Sequence, residues 1–367
     1  MDINFIFSQA FVLDENTKKN ISVLQSDEYF HLRLFKENRF NSLQKFFSDQ
    51  NKIKVLISKK FSKSLNLNAN LNYDISYIDD NFFSDEHPLI ATQKIEYLEG
   101  KVLLFNSHMP QWGGVTKTLM NFLSAYVNAK NCAFVAWDWD NHHTLHISSI
   151  ICAGSDIYCH AHFSHDYELS VYCDRRFRVP ATTFQWNEDD IIQNIEYIIN
   201  LPRSNDPLGR HVKYGLFIHR EKVLTTLSQK YSEIGLLEKG DDYFDINDFD
   251  RLKQWAGHKV HWIVPTLNDV PCRIFDALIT GGIPILPYHL RNDLVLTGLS
   301  DQDCEFYTSK DIIDSDEIVS SAIQKFNQDG LLGILRRINF VLTNHTFSSR
   351  IGNILNNFES TIFDKLR

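Results

Sequence analysis

No run of apolar residues in this sequence reaches the roughly eighteen that a membrane-spanning helix requires, so no such helix is expected. Cysteine is scarce: six in 367 residues, at Cys132, Cys152, Cys159, Cys173, Cys272 and Cys304, with no C-x-x-C pair among them. That spacing excludes a zinc ribbon or a disulfide scaffold and leaves reduced, structural thiols as the expectation. Positive charge is in deficit, with 37 Lys and Arg against 46 Asp and Glu and a net charge of −9. A surface that tracks nucleic acid along its whole length is thereby excluded, although a local basic patch is not. The opening stretch MDINFIFSQAFVLDENTKK lacks a basic n-region and is broken by Asn4, Ser8 and Gln9, so a secretory leader is not expected. A cytoplasmic protein follows as the expectation. The sequons at Asn20 and Asn344 then carry no meaning.

What is present is a globular composition, 43% hydrophobic and 23% charged, in a chain longer than a single core readily fills. Two domains are expected. The polar stretch LPRSNDPLGR has linker composition and sets the boundary near 203, giving domains 1–203 and 204–340 with a C-terminal helical piece at 341–367. Short apolar runs at Ile3–Phe7, Lys54–Ser58, Ile75–Ile78, Val102–Phe105, Cys132–Trp137 and Asp156–Phe163 read as strands, with a helix through Asn41–Phe47. NEDDIIQNIEYIINL reads as an acidic-capped helix over 187–201. Lys213–His219 reads as a strand that opens the second domain. Arg220 then starts a helix whose apolar positions include Val223, Leu224, Leu227 and Tyr231.

The most organised stretch is HKVHWIVPTLNDVPCRIFDALITGGIPILPYHL, His258 to Leu290, which reads as one βαβ unit. Val260–Val264 is an apolar run, and Pro265, Asn268, Asp269 and Pro271 signal a loop and a helix start. Ile274, Phe275, Leu278 and Ile279 recur at helical spacing; Gly281 and Gly282 stop the helix, and Ile283–Leu286 suits a buried parallel strand. The pattern RIFDALITGGIPIL resembles the donor-site motif of GT-B glycosyltransferases, closest to their exostosin-like and family-4-like branches. The resemblance implies two Rossmann-like α/β domains facing across a cleft. It also implies that Asp276 receives the ribose hydroxyls of a sugar nucleotide while Arg273, Arg220 and helix amides meet its diphosphate. Such enzymes usually carry a second acidic residue eight positions earlier; here that position is Asn268, with Asp269 one residue late. The tail LTNHTFSSRIGNIL resembles the H-T-[FY]-x-x-R helix that closes bacterial GT-B proteins.

HMPQWGGVTKTLMNFL is similar to the glycine-rich loop of the family's N-terminal domain, which places Gly113 and Gly114 beside the donor; a tight turn accounts for two glycines equally well. Asp138-Trp139-Asp140 after a strand has the form of the metal motif of the other glycosyltransferase architecture, GT-A; a solvated loop is the plainer reading. By period two, His160 and His162 share a strand face, with His165 and Asp166 just beyond. His162, His165 and Asp166 are the candidate bases for an acceptor hydroxyl, since an imidazole titrates near working pH. Arg175, Arg176 and Arg178 form a small basic cluster that suits an anionic acceptor, with a solvated charged loop as the equally open reading, and Asp241–Asp250 lacks the glycine and terminal glutamate of an EF-hand.

Together these features describe a bacterial glycosyltransferase that moves a sugar from a nucleotide-sugar co-substrate to a surface glycan or lipid-linked acceptor. It is expected to need no metal, to bind no nucleic acid, and to work in the cytoplasm, with peripheral association at the inner face of the membrane left open. A non-catalytic sugar-nucleotide or glycan-binding subunit, and a metal-dependent transferase using Asp138 and Asp140, are the alternatives.

Overall fold

The computed structural model describes residues 29–62, 65, 73–79, 81–85, 87–106, 125, 126, 128–139, 145–163, 173–183, 185–213, 217–237, 246–267 and 269–363. The chain divides into two compact units. One comprises Met1–Lys63, Leu67–Val179 and Ile351–Arg367; the other comprises Ser64–Asn66 and Pro180–Arg350.

The first unit is built on a parallel sheet ordered β2-β1-β3-β4-β5-β6, from β1 (Ile53–Ser58), β2 (Tyr73–Ile78), β3 (Val102–Asn106), β4 (Ala133–Asp138), β5 (Ile157–His160) and β6 (Arg176–Arg178). Strand order reverses between β1 and β3, as in a doubly wound fold. Every residue of β3, β4 and β5 is buried, which is why these strands read as continuous apolar runs rather than alternating ones. Helices α1 (Tyr29–Ser48), α2 (Ala91–Leu98) and α3 (Leu145–Gly154) belong to this unit.

A polar chain runs through its interior. Arg39 of α1 donates from Nε to the Tyr126 hydroxyl at 3.1 Å, and Tyr126 donates to Asp156 Oδ2 at 2.6 Å. The same carboxylate oxygen accepts the Phe134 amide at 2.7 Å, tying the turn before β5 to β4. Burial, together with Asp156, pushes the Tyr126 phenol well above its ordinary range.

The second unit has all its strands parallel: β7 (Gly209–Val212) beside β8 (Ile234–Leu237), and β9 (Val260–Trp262), β10 (Ile283–Pro287) and β11 (Glu305–Tyr307) with β10 in the middle. Two isolated parallel bridges, Ser204 to His258 and Leu208 to His261, join the two pieces in the order β8-β7-β9-β10-β11. Its helices are α4 (Glu188–Gln193), α5 (Ile195–Asn200), α6 (Ile218–Ser228), α7 (Asp248–Ala256), α8 (Cys272–Ile279), α9 (Arg291–Val295), α10 (Ser309–Ile313) and α11 (Ser315–Asn344), the last broken at Gly330 with φ 53° and ψ −143°.

The division falls after Val179, not at the polar stretch near 203. Ile191 of α4 and Ile198 of α5 are fully buried in the same apolar cluster as Leu208, Trp262 and Phe275, so the whole 187–201 helical segment packs with the second unit. The strand expected over Lys213–His219 is displaced: β7 ends at Val212, and Phe217 caps a helix that already contains His219. The last helix, α12 (Phe347–Phe363), starts in the second unit and from Ile351 onward is grouped with the first. There Phe358 meets Phe47 edge-on at 5.5 Å, and the Leu355 carbonyl accepts the Tyr73 hydroxyl at 3.0 Å.

Asp156→Ala should destabilise the first unit by about 3 kcal/mol, because it strands a buried amide, a phenol and the Arg39 charge at once. Urea unfolding followed by circular dichroism measures this, with Phe358→Leu as a comparison for ordinary loss of packing.

Candidate functional site

Helix α8 starts after Pro271, whose fixed φ of −74° and extended ψ of 149° suit a helix entry. Pro271 has no side-chain acceptor to cap the first turn, and that turn holds no acidic residue. Positive helix potential at this end is therefore not offset by the helix's own side chains. From Ile274 to Ile279 every residue is buried. The helix ends at Thr280, whose hydroxyl donates back to the Asp276 carbonyl at 3.0 Å. Gly281 then takes φ +79°, and a Cβ there would sit 2.6 Å from Ile334. At Gly282 a Cβ would lie 2.4 Å from the His261 ring, so both glycines are sterically required.

Backbone pairing between β7 and β9 is short. Leu208 donates to Val260 and accepts from Trp262, at 3.0 and 2.8 Å. Two residues on, the ladder opens. The Val264 amide donates to His211 Nε2 at 3.2 Å, and the Arg210 carbonyl accepts Arg273 Nη1 at 2.7 Å. His211 Nδ1 donates to the Gly209 carbonyl at 3.0 Å, so one ring nitrogen gives and the other receives. The imidazole is thus fixed in one neutral tautomer, and burial with Arg273 and Arg220 nearby drives its pKa well below the usual value. The opening leaves a cavity of about 10 Å³ lined by Gly209, His211, Trp255, His261, Ile263 and Arg273. His261 stacks on Trp255 at 5.0 Å, with both ring nitrogens lacking a hydrogen-bond partner.

Arg220, the third residue of α6, is 7% exposed. It and Arg273 are the cations that act on both His211 and Asp269. Asp269, 8% exposed on the loop before α8, receives the Thr266 hydroxyl at 3.2 Å. Burial pushes its carboxyl up to about 7, against the opposing pull of Arg220, Thr266 and Arg273. Leu267 in this loop has φ 54°. Two guanidiniums, one buried carboxyl and a neutral imidazole thus gather where β7, the β9–α8 loop, α6 and α8 meet. The sequence pointed to Arg220 and Arg273 but not to His211.

Asp276 is 1% exposed, and its Oδ1 accepts the Thr183 hydroxyl at 2.6 Å. The Thr183 amide donates to the His345 carbonyl at 2.9 Å. His345 stacks on Phe275, the neighbour of Asp276, at 4.1 Å; its Nε2 donates to the Thr297 carbonyl at 3.2 Å and its Nδ1 accepts from Arg350. His345 and Arg350 of the tail motif therefore support α8 through Phe275 and the Thr183 backbone. Arg273 also differs from expectation: it is not a side chain reserved for a ligand, since Nη1 closes the open edge of β7.

His162 lies just past β5 rather than within it, 3% exposed, with Nε2 donating to the Trp139 carbonyl at 2.7 Å. Asp138 ends β4 at 1% exposure and accepts the Tyr158 hydroxyl at 2.7 Å. Among the described residues no group of three or more His, Cys, Asp or Glu side chains is placed to hold a metal. Asp140, His165, Asp166, Gly113, Gly114 and Asn268 lie outside the described residues.

No protein-family model and no curated protein matches the chain. Among solved structures it is similar to Anabaena Alr3699/HepE in complex with UDP-glucose, at 10% identity and a TM-score of 0.52, over 84% of this chain and 99% of that one. The fold is GT-B. It is also similar to an α1,3-fucosyltransferase at 12% identity and a TM-score of 0.44, over 86% of this chain and 91% of that one. The two units are accordingly the two Rossmann-like domains of that architecture.

Thr183→Val removes the donor to a buried carboxylate while keeping the side chain's shape, and should cost about 1.5 to 3 kcal/mol. Urea unfolding is the measurement; Thr183→Ser should retain most of the stability.

Proposed function

We propose that this chain is a glycosyltransferase that transfers a sugar from a nucleotide-sugar donor to a surface glycan or lipid-linked acceptor. The observation that carries the reading is the pairing of Arg220 and Arg273 beside the uncapped start of α8, at the C-terminal edge of a parallel sheet. A crevice outside the strand ends is where open α/β sheets bind ligands, and two guanidiniums with a helix N-terminus suit a diphosphate. The GT-B fold and the UDP-glucose held by HepE support a donor of that class.

On this reading the diphosphate leaving group is stabilised by fixed cations, with Asp276 offered to the ribose and Thr183 fixing the carboxylate's orientation. A ribose hydroxyl would have to share or displace the Thr183 bond. The base for the acceptor hydroxyl is drawn from His162, His165 and Asp166, with Gly113 and Gly114 lining the donor and Asn268 at its sugar end. Charge is then met without a metal, and activity should survive EDTA; loss restored by Mn²⁺ would instead favour Asp138 and Asp140. No disulfide joins the six cysteines, and we take the reaction to be cytoplasmic. No described helix is long and apolar enough to cross a membrane.

Calorimetry against uridine, guanosine, cytidine and thymidine diphosphates, and against the matching nucleosides, tests the donor site. Arg220→Met should weaken diphosphate binding about ten- to hundredfold and leave nucleoside binding unchanged. Equal diphosphate affinity in a folded variant would remove the assignment.

A further inference from the structure

Arg350 is 7% exposed, its Nε has no hydrogen-bond partner among the described residues, and its Nη2 donates to the ring of His345 rather than to a carboxylate. Arg337, also buried, instead has Asp329 at 3.1 Å and Asp303 at 3.6 Å. Burying a guanidinium against a neutral partner costs stability, and chains break that rule chiefly where a residue has a further task. What the bond secures is the His345 ring. Its Nδ1 accepts from Arg350, so the ring proton lies on Nε2 and is donated to the Thr297 carbonyl at 3.2 Å. Phe275 stacks on the ring at 4.1 Å, Phe340 approaches it at 4.7 Å, and the His345 amide donates to the Val341 carbonyl at 2.7 Å. Two links lead from this anchored residue to Asp276. The His345 carbonyl holds the Thr183 amide at 2.9 Å, and the Thr183 hydroxyl holds Asp276 Oδ1 at 2.6 Å.

We propose that His345 and Arg350 are positioning residues for the donor's ribose, and that the carboxylate they hold through Thr183 makes the site select ribonucleotides over 2′-deoxyribonucleotides. The proposal rests on the donor reading. Its physical basis is orientation: Asp276 is 1% exposed, so it meets a ligand only through the edge that its rotation presents, and the Thr183 bond fixes that rotation. An acceptor set in advance receives a hydroxyl without first being ordered. A carboxylate can accept from two vicinal hydroxyls, so a sugar that lacks one leaves a buried acceptor short of a partner. Loosening His345 loosens the Thr183 amide, and the carboxylate then loses the orientation on which that discrimination depends.

The probes are UDP, GDP and CDP, each compared by calorimetry with its 2′-deoxy counterpart. The parent should bind its preferred ribonucleotide about ten- to hundredfold more tightly than the deoxy form. Arg350→Met and His345→Ala should shrink that ratio to within about threefold. Arg350→Lys, which can still donate to the ring nitrogen, should keep most of it. A merely structural role would weaken both forms alike and leave the ratio as in the parent. If the Met and Ala variants do not fold, hydrogen exchange at the Thr183 amide of the parent decides: by linkage the ribonucleotide should slow it more than the deoxy form does. Equal slowing by the two, a parent ratio near one, or a parent-like ratio in folded Arg350→Met and His345→Ala overturns the proposal and leaves the diphosphate site standing. Failure of all three ribonucleotides to bind the parent overturns the donor reading and this proposal together.

Discussion

Backbone pairing between β7 and β9 ends before the polar groups of either strand are exhausted, and much of the second unit's chemistry follows from that shortfall. A part-buried carbonyl at Arg210 and a buried amide at Val264 each need a partner. Arg273 supplies the first and His211 the second. A sheet that continued its ladder here would need neither residue and would have no opening at the strand ends. The same two side chains that complete the hydrogen bonding also place a cation and a neutral ring beside Arg220 and Asp269, so structural need and electrostatic arrangement share residues. Arg273 is consequently a poor candidate for a purely ligand-facing group.

Helix α8 shows a related economy. All of its residues from Ile274 to Ile279 are buried, including a carboxylate, and a buried carboxylate is tolerated only when its oxygens are engaged. Thr183 does this from the segment that leads into the unit, while His345 and Arg350 support Phe275 and the Thr183 backbone from the segment that leads out. The chain passes between units at 179/180 and at 350/351, close in sequence to both supports. Asp276 is thus held by residues near both passages.

In the first unit the corresponding buried carboxylate is Asp156, which orders the turn before β5 through Tyr126 and the Phe134 amide. Its neighbour in the sequence argument, Asp138, is held by Tyr158 at the end of β4. Both are acidic residues at strand ends in an otherwise apolar layer, and in both a phenol donates to the carboxylate. The D-x-D pattern alone does not show that Asp138 accepts a phenol, because Tyr158 lies 20 residues further along the chain.

Sequence alone determined the α/β character, the helix from Cys272 to Ile279 with its Gly-Gly stop, and the apolar strands β3, β4, β9 and β10. These are local: periodicity, glycine at a positive φ and runs of buried residues are written within a few neighbours. It misplaced the first strand of the second unit, because β7 reads Gly-Arg-His-Val and its polar residues conceal a strand whose His211 is buried. It placed the boundary at a polar linker, because only packing reveals that Ile191 and Ile198 belong with Phe275. Thr183 lies 93 residues from Asp276, and His345 lies 48 from Thr297. No local pattern joins such pairs. Tertiary structure decided them because a buried polar group must be satisfied by whatever the fold brings within 3 Å, and that partner is chosen by packing rather than by sequence distance.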